Sequence, residues 1–253
     1  ETGSGNRITA MSFNPNYLAY TMALAAIILI ATALETRARY GWLKALWVAP
    51  VLPLLAMMVR SGSRTGVAAF AIGFFLCALP SRQSRRRLIV VFLAGAVVAS
   101  LLFLVLRNPI IVKRFEQSYE GNLAGRQLII PASLDMFLQK PVLGWQPVAY
   151  WEELGRRVGK IWGVKDAHNL IFHLLLEVGL LGAVPVFVGL WLCVMGAWKA
   201  RAGNYGTLPF ALLAMTLSAN LTHTYLARKP QWLVLAFAVA AAATAVQRSA
   251  AAR

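Results

Sequence analysis

Asp166-Ala-His-Asn-Leu-Ile-Phe-His-Leu-Leu-Leu-Glu-Val-Gly-Leu-Leu-Gly182 joins a long polar segment to a continuous apolar run. It contains two of the three histidines of the chain. The apolar run continues to Trp198, which is longer than the roughly 20 residues that a helix needs to cross a bilayer. The stretch therefore predicts a membrane helix that begins with polar residues, including His168, at one face of the membrane.

The composition is typical of a membrane protein. Of 253 residues, 59% are hydrophobic and 13% are charged, and the mean hydropathy is +0.63. A soluble globular chain of this size carries fewer apolar and more charged residues. We predict an all-α polytopic membrane protein in which residues 1–253 form a single transmembrane domain. Because the chain begins Glu1-Thr-Gly-Ser-Gly5 and not with Met, we expect it to be a fragment that lacks N-terminal spans.

About seven apolar stretches have a length close to that of a membrane span. They lie at 15–34, 42–59, 65–80, 88–106, 169–198, 207–226 and 230–246. Pro185 predicts a kink in the fifth span. The fourth and fifth spans are separated by one large polar loop, 107–167.

The charge is strongly positive, with 25 Lys and Arg against 9 Asp and Glu, a formal net charge of +16. Many of the cations flank spans that would lie on one side of the membrane: Arg37, Arg39, Lys44, Ser81–Arg87, Lys199, Arg201, Arg248 and Arg253. The positive-inside rule places these in the cytoplasm. The 107–167 loop then faces outward, which is the periplasm if the membrane is a bacterial inner membrane. The cations are thus explained by topology and by contact with membrane lipids, and no nucleic-acid partner is expected.

Val59-Arg-Ser-Gly-Ser-Arg-Thr-Gly66 places Arg60 and Arg64 in a short turn on the outward side. Two interpretations remain open. The arginines reach for lipid headgroups, or they form a clamp for an anion, because guanidinium groups bind phosphate oxygens in a bidentate fork. Arginine is disfavoured on this side of a membrane, which favours the clamp.

The outer loop contains Gly125–Lys140, which is amphipathic at helical spacing. We expect its apolar residues to lie on the membrane surface: Leu128, Leu134, Phe137 and Leu138. The loop is also rich in aromatic residues, namely Trp145, Tyr150, Trp151 and Trp162. These are typical of interfacial anchors, and they are equally suited to stacking on sugar rings.

His168 lies where the fifth span begins, and Asp166 or Asn169 is expected to cap that helix. Asn14 is expected to cap the first span in the same way, with Pro15 at the first helical position. A helix N-terminus disfavours a protonated imidazole, so a neutral His168 suits a general base that Asp166 orients. The alternative is a purely structural histidine.

Two further histidines are considered beside His168. His173 and Glu177 are four residues apart and predict a structural pair inside the membrane. His173 lies about 140° from His168 on a helical wheel, which predicts separate sites. His223, near the end of the sixth span, is a candidate for the same cavity as His168.

Two features of the sequence argue against a metal site. The outward segments contain no Asp-x-Asp pair, and no histidine and carboxylate cluster has metal-ligand spacing. We therefore predict neither a metal nor a cofactor, and we expect arginines to stabilise any phosphate leaving group.

The chain resembles the bacterial O-antigen ligase and polymerase superfamily. His168-Asn169, nine residues, and then Gly179-x-x-Gly182 look like the ligase signature that follows the large periplasmic loop. Three other motifs are similar to family patterns: Asn14-Pro-Asn16, Ser63-Arg-Thr-Gly66, and Gly125-Arg126 with Lys140-Pro-Val-Leu-Gly-Trp145. The similarity covers nearly all of this chain but only the later part of a usual member. The chain departs at Ile130, where many members have Trp, and it shows no soluble C-terminal domain.

The resemblance implies a C-type glycosyltransferase-like helical fold and transfer of a glycan from undecaprenyl pyrophosphate to a sugar hydroxyl of lipid A–core, with inversion and without a metal. His168 would take the hydroxyl proton, and Arg64 and Arg126, with Arg60, would hold the pyrophosphate. Further substrate-binding residues are expected at Asn16, Asp166 and Asn169. The alternatives are an O-antigen polymerase or a protein O-oligosaccharyltransferase of the same superfamily and, from another class, a transporter for a lipid-linked sugar.

Overall fold

The computed structural model describes residues 14–35, 48–78, 103–110, 125–159, 166–203 and 205–251, together with positions 46, 96, 99–101, 112, 113 and 116. Every described element is helical: α1 Pro15–Glu35, α2 Val51–Arg60, α3 Arg64–Ala78, α4 Arg126–Gln139, α5 Pro147–Arg157, α6 Leu170–Lys199, α7 Leu208–Asn220 and α8 Lys229–Ala251. A short 3-10 turn, Ala200–Ala202, follows α6. The all-helical prediction is confirmed for these residues.

Three of the described helices are long and apolar enough to cross a membrane: Pro15–Ala33, Leu170–Lys199 and Lys229–Gln247. The apolar helices α2, α3 and α7 are shorter, so the prediction of about seven spans stays a prediction. The sixth predicted span, 207–226, is too long, because α7 ends at Asn220 and residues 221–228 form turns. Most of the predicted fourth span, the basic segments at 36–45 and 79–95, and Trp162 lie outside the described residues.

Helix α6 is broken at Gly179, whose φ of 61° and ψ of −167° are not helical. A break leaves backbone N–H and C=O groups without their helical partners. The segment 141–146 supplies them: Leu180 N donates to Pro141 O at 2.8 Å, and Trp145 N donates to Leu176 O at 2.6 Å. The interruption of α6 therefore lies at Gly179, six residues before Pro185, and the loop stabilises it. The kink at Pro185 stays a prediction.

The break divides α6 into two parts with different surroundings. Leu180–Lys199 is about 30 Å long at about 1.5 Å per residue, which matches the hydrocarbon thickness of a bilayer. Its large apolar side chains are exposed, as a lipid-facing helix requires: Leu181, Val184, Val188, Trp191 and Leu192. The part before the break, with His173 and Glu177, packs instead against the loop helices.

Gly179 and Gly144 allow the two backbones to meet. A Cβ on Gly179 would lie 2.2 Å from Val142 O, and one on Gly144 would lie 2.7 Å from Gly179 N. We expect Gly179→Ala to destabilise the protein by about 2–3 kcal/mol, from the left-handed backbone together with the main-chain clash. Thermal unfolding in detergent measures this loss. Gly189→Ala is the matched control in the same helix, because its Cβ would meet open space, and equal melting of the two variants would contradict the prediction.

Helices α1, α3 and α7 form the main core. Gly66 of α3 packs so closely on Ala19 of α1 that a Cβ would come within 2.4 Å of the alanine side chain. The buried hydroxyl of Tyr20 lies 2.9 Å from that of Thr216 in α7. This packing brings the starts of α1 and α3 and the end of α7 to the same end of the bundle.

The loop helices α4 and α5 pack on the first part of α6 around a small buried core: Ile129, Met136, Tyr150, Leu154, Ala167 and Leu176. The predicted apolar face of α4 is exposed at Leu128, Leu134 and Leu138. Phe137 is the exception, because its position on the helix turns it toward this small core. Trp145 and Trp151 also pack against this core, so the structure uses both in the loop interior.

Candidate active site

A turn formed by Leu221-Thr-His-Thr-Tyr225, here called the 221–225 turn, lies between α7 and α8. Asn220, the last residue of α7, holds it: Asn220 Oδ1 accepts from Tyr225 N at 3.0 Å, and Asn220 Nδ2 donates to Gln231 Oε1 at 3.0 Å. Both Asn220 and Gln231 are buried. Buried amides that satisfy each other hold a turn in one conformation, so Asn220 and Gln231 fix the position of this turn.

Two residues of the family-like motifs bind backbone carbonyls of this turn. Arg126, the first residue of α4, donates from Nη2 to Thr222 O at 2.8 Å. Asn169 donates from Nδ2 to Leu221 O at 3.0 Å. The loop helix α4 and the start of α6 are thus connected to adjacent peptide carbonyls of the same turn.

Asn169 also caps α6, because its Oδ1 accepts from Ile171 N at 2.8 Å and from Phe172 N at 3.3 Å. The capping prediction is therefore confirmed for Asn169, not for Asp166. Both the oxygen and the nitrogen of the Asn169 side-chain amide therefore have hydrogen-bond partners within the protein. A direct contact between Asn169 and substrate stays a prediction.

Asn16 reaches the turn from α1. Its Nδ2 lies 2.5 Å from His223 Nε2, and Tyr225 donates from its hydroxyl to Asn16 O at 3.3 Å. The prediction that Asn14 caps α1 is also confirmed, since Asn14 Oδ1 accepts from Asn16 N at 2.9 Å and the helix begins at Pro15. The Asn-Pro-Asn motif therefore serves both the helix start and the site.

Arg64 begins α3, next to Thr65, whose hydroxyl lies 2.8 Å from that of Thr222. Arg60 is exposed at the end of α2. The two serines between these arginines are completely buried and form hydrogen bonds within the connection between α2 and α3. Ser61 Oγ donates to Met58 O at 2.6 Å, and Ser63 Oγ accepts from Gly66 N at 3.2 Å. The serines therefore have a structural role in this turn, and the arginines remain the candidates for binding an anion.

His168 precedes α6 in a left-handed conformation, with φ of 51°. Such a backbone costs on the order of 1–3 kcal/mol in a residue other than glycine, and it is concentrated at functional sites. The His168 ring meets the His223 ring edge to face, with centroids 5.2 Å apart. His168 and His223 thus face each other, as the sequence suggested.

Asp166 Oδ2 lies 3.3 Å from His168 Nδ1. A carboxylate at Nδ1 favours the tautomer with its proton there, which leaves Nε2 as the basic nitrogen. Burial acts to raise the pKa of Asp166, but the neighbouring imidazoles of His168 and His173 outweigh it and hold that pKa well below its usual range. Asp166 therefore stays ionised beside the candidate base.

His173 also reaches Asp166, with Nδ1 3.3 Å from Oδ1, and its Nε2 lies 2.8 Å from Glu177 Oε2. The predicted pair of His173 and Glu177 is confirmed. The prediction that His168 and His173 belong to separate sites is wrong, because His168 lies outside the helix and a helical wheel does not apply to it. The two histidines instead share one carboxylate.

Comparison with known proteins adds one finding to this geometry. The O-antigen ligase family model matches residues 49–187, which is more than half of the chain. The chain belongs to the O-antigen ligase family. Members of this family are glycosyltransferase-like enzymes of the membrane, either ligases or polymerases, and no curated protein matches the chain significantly.

Most candidate residues of this O-antigen ligase family chain lie within the matched region, namely Arg60, Arg64, Arg126, Asp166, His168 and Asn169. The 221–225 turn lies beyond it, and so does Asn16. Sequence reasoning placed Thr222 and Tyr225 inside a membrane span and missed their role. The signal that could have found them is the polar cluster Asn220-Leu-Thr-His-Thr224, which interrupts an otherwise apolar run.

Proposed function

We propose that the chain is an O-antigen ligase that transfers a glycan from undecaprenyl pyrophosphate to a sugar hydroxyl of lipid A–core at the periplasmic face of a bacterial inner membrane. The observation that carries the proposal is the contact between His168 and an ionised Asp166, beside the turn that Arg126 binds. A neutral imidazole oriented by a carboxylate is the usual arrangement of a general base. An arginine beside it suits a phosphate leaving group.

In the proposed reaction, the acceptor hydroxyl oxygen attacks the anomeric carbon of the donor glycan. His168 Nε2 takes the hydroxyl proton as the new carbon–oxygen bond forms. The bond from that carbon to the pyrophosphate oxygen breaks with its electron pair, so undecaprenyl pyrophosphate leaves and the anomeric centre inverts. Asp166 stabilises the imidazolium that results, because its charge lies 3.3 Å from Nδ1.

Arg64 and Arg126, with Arg60 at the rim, are proposed to hold the pyrophosphate. Negative charge grows on the leaving oxygen in the transition state, and fixed guanidinium groups stabilise it without reorganisation. Asn16 and Asn169 complete the surface around the reacting carbon. The lipid portions of donor and acceptor would approach through the membrane, along the exposed apolar surface of α6.

The test uses the intact gene in a cell that lacks its own ligase, with lipopolysaccharide analysed on a gel. We expect a polymer ladder on lipid A–core. If lipid-linked chains lengthen while the core receives no polymer, the enzyme is a polymerase. Glycan on protein indicates an oligosaccharyltransferase, and passage of glycan across the membrane without transfer indicates a transporter.

The proposed reaction does not require a metal ion, because the arginines stabilise the leaving group. We therefore expect transfer by the purified enzyme to remain within about twofold of its starting rate in excess EDTA, where a lost electrostatic donor would cost roughly 100-fold or more. A loss of transfer that Mg²⁺ or Mn²⁺ restores would show that the metal-free mechanism is wrong. The matched control is EDTA already saturated with Ca²⁺.

A further inference from the structure

His173 is a buried histidine that the proposed reaction does not use. The residue is 8% exposed, and its ring lies between two carboxylates, with Nδ1 facing Asp166 and Nε2 facing Glu177. A buried ionisable side chain is costly unless its hydrogen bonds are made. The pair of acidic partners therefore indicates a specific purpose at this place.

Tyr150 of α5 completes the group. Its hydroxyl lies 2.5 Å from His173 Nδ1 and 3.1 Å from Asp166 Oδ1. Burial, followed by the charge of Asp166, raises the pKa of the Tyr150 phenol, so the hydroxyl keeps its proton. The Tyr150 ring is completely buried and meets the His173 ring edge to face.

The hydrogen bonds can be assigned by counting donors. An ionised Asp166 only accepts, so the single Tyr150 proton goes to Asp166 Oδ1. His173 Nδ1 must then donate to the Tyr150 oxygen, while one proton lies between His173 Nε2 and Glu177 Oε2. Donation thus runs from His173 through Tyr150 to Asp166, and Glu177 shares the proton at the other ring nitrogen of His173.

Oδ1 of Asp166 is occupied by this chain of bonds, and Oδ2 is the oxygen that faces His168. A carboxylate held at one oxygen has its second oxygen in a defined place. His168 lies before the start of α6 and is not part of a helix. A fixed carboxylate is therefore a suitable means of orienting its ring.

We propose that Tyr150, His173 and Glu177 are positioning residues that hold Asp166 against His168 and so orient the base for proton removal. This inference rests on the proposed function, since it requires His168 to act as the base. The chain reaches from α5 in the large loop to the part of α6 before the Gly179 break. The hydrogen bonds to Asp166 therefore require the loop helix α5 to be packed against α6.

The experiment compares Glu177→Gln with Glu177→Leu and adds Tyr150→Phe, using the intact enzyme with donor and acceptor concentrations varied. Glu177→Gln retains a side-chain amide that can hydrogen-bond to His173 Nε2 in either direction, so we expect nearly normal kcat. We expect Glu177→Leu and Tyr150→Phe each to lower kcat about 10-fold or more, with the KM values for donor and acceptor unchanged. Asp135→Asn is the control, because Asp135 is an exposed carboxylate of the same loop that pairs with Arg157, and it should leave kcat unchanged.

A double-mutant cycle separates positioning from general damage. In an Asp166→Asn background, adding Glu177→Leu should have little further effect, since the chain then has no carboxylate to hold. The proposal would be overturned if Glu177→Leu lowered kcat equally in both backgrounds. It would also be overturned if Glu177→Gln and Glu177→Leu lowered kcat by the same factor. If His168 variants transfer normally, the proposed function itself fails. If His168 variants are inactive while all Glu177 and Tyr150 variants are normal, only the positioning chain is wrong.

Discussion

Replacing His168 with alanine should lower kcat for glycan transfer by about 10²–10⁴-fold, the usual contribution of a general base. The acceptor hydroxyl then has no group that takes its proton as the new bond forms. The protein should still insert into the membrane, because the His168 side chain is 30% exposed and lies outside the helices. The measurement is the initial rate of transfer to lipid A–core at matched amounts of membrane-inserted enzyme.

The backbone of His168 suggests a second variant. Its φ of 51° is more easily adopted by asparagine than by alanine. His168→Asn therefore preserves the loop conformation and removes the base, and we expect it to be as inactive as the alanine variant. Normal transfer by both variants at normal protein level would refute the role of His168.

Arg126→Ala is expected to lower kcat by about 10²–10³-fold, the effect of losing one electrostatic donor to a developing anion. The residue has a second contact, because Nη2 donates to Thr222 O at 2.8 Å. Lysine keeps the positive charge without the bidentate fork, so Arg126→Lys should retain partial activity. The readout is kcat and the donor KM, measured separately with purified enzyme.

The matched control for Arg126 is Arg156→Ala. Arg156 lies on α5 in the same loop, and its side chain is 73% exposed and pairs with Glu153. A surface pair of this kind is screened by solvent and contributes little to stability, so transfer should be unchanged. If both arginine variants lose activity equally, the loss reflects the loop as a whole. If neither loses activity, Arg126 does not stabilise the leaving group.

Local patterns in the sequence predicted a large part of this molecule. The apolar run after His168 predicted α6, and the i, i+4 spacing of His173 and Glu177 predicted their contact. Asn14 and Asn169 were recognised as helix caps because capping depends on residues within one helical turn. The motifs at Arg64, Arg126 and His168 indicated the family. All of these features depend on neighbours within a few residues or on a recognisable spacing.

Other features depend on partners that are distant in the chain. The break at Gly179 is stable only because residues 141–146 supply hydrogen bonds to its open backbone. No local rule distinguishes that glycine from Pro185, which is the more usual cause of a kink. The convergence of His168 and His173 on Asp166 likewise required the left-handed backbone at His168.

The sequence by itself determined that this is an all-helical membrane protein of the O-antigen ligase family, and it identified a histidine and arginines as candidates for the chemistry. The tertiary structure alone decided which of them meet. It placed Arg126, Asn169, Asn16 and His223 on the 221–225 turn, which the sequence assigned to a membrane span. The physical reason is that the buried Asn220 side chain binds Tyr225 N and Gln231 and so holds the turn that follows α7, interactions that hydrophobic periodicity does not encode.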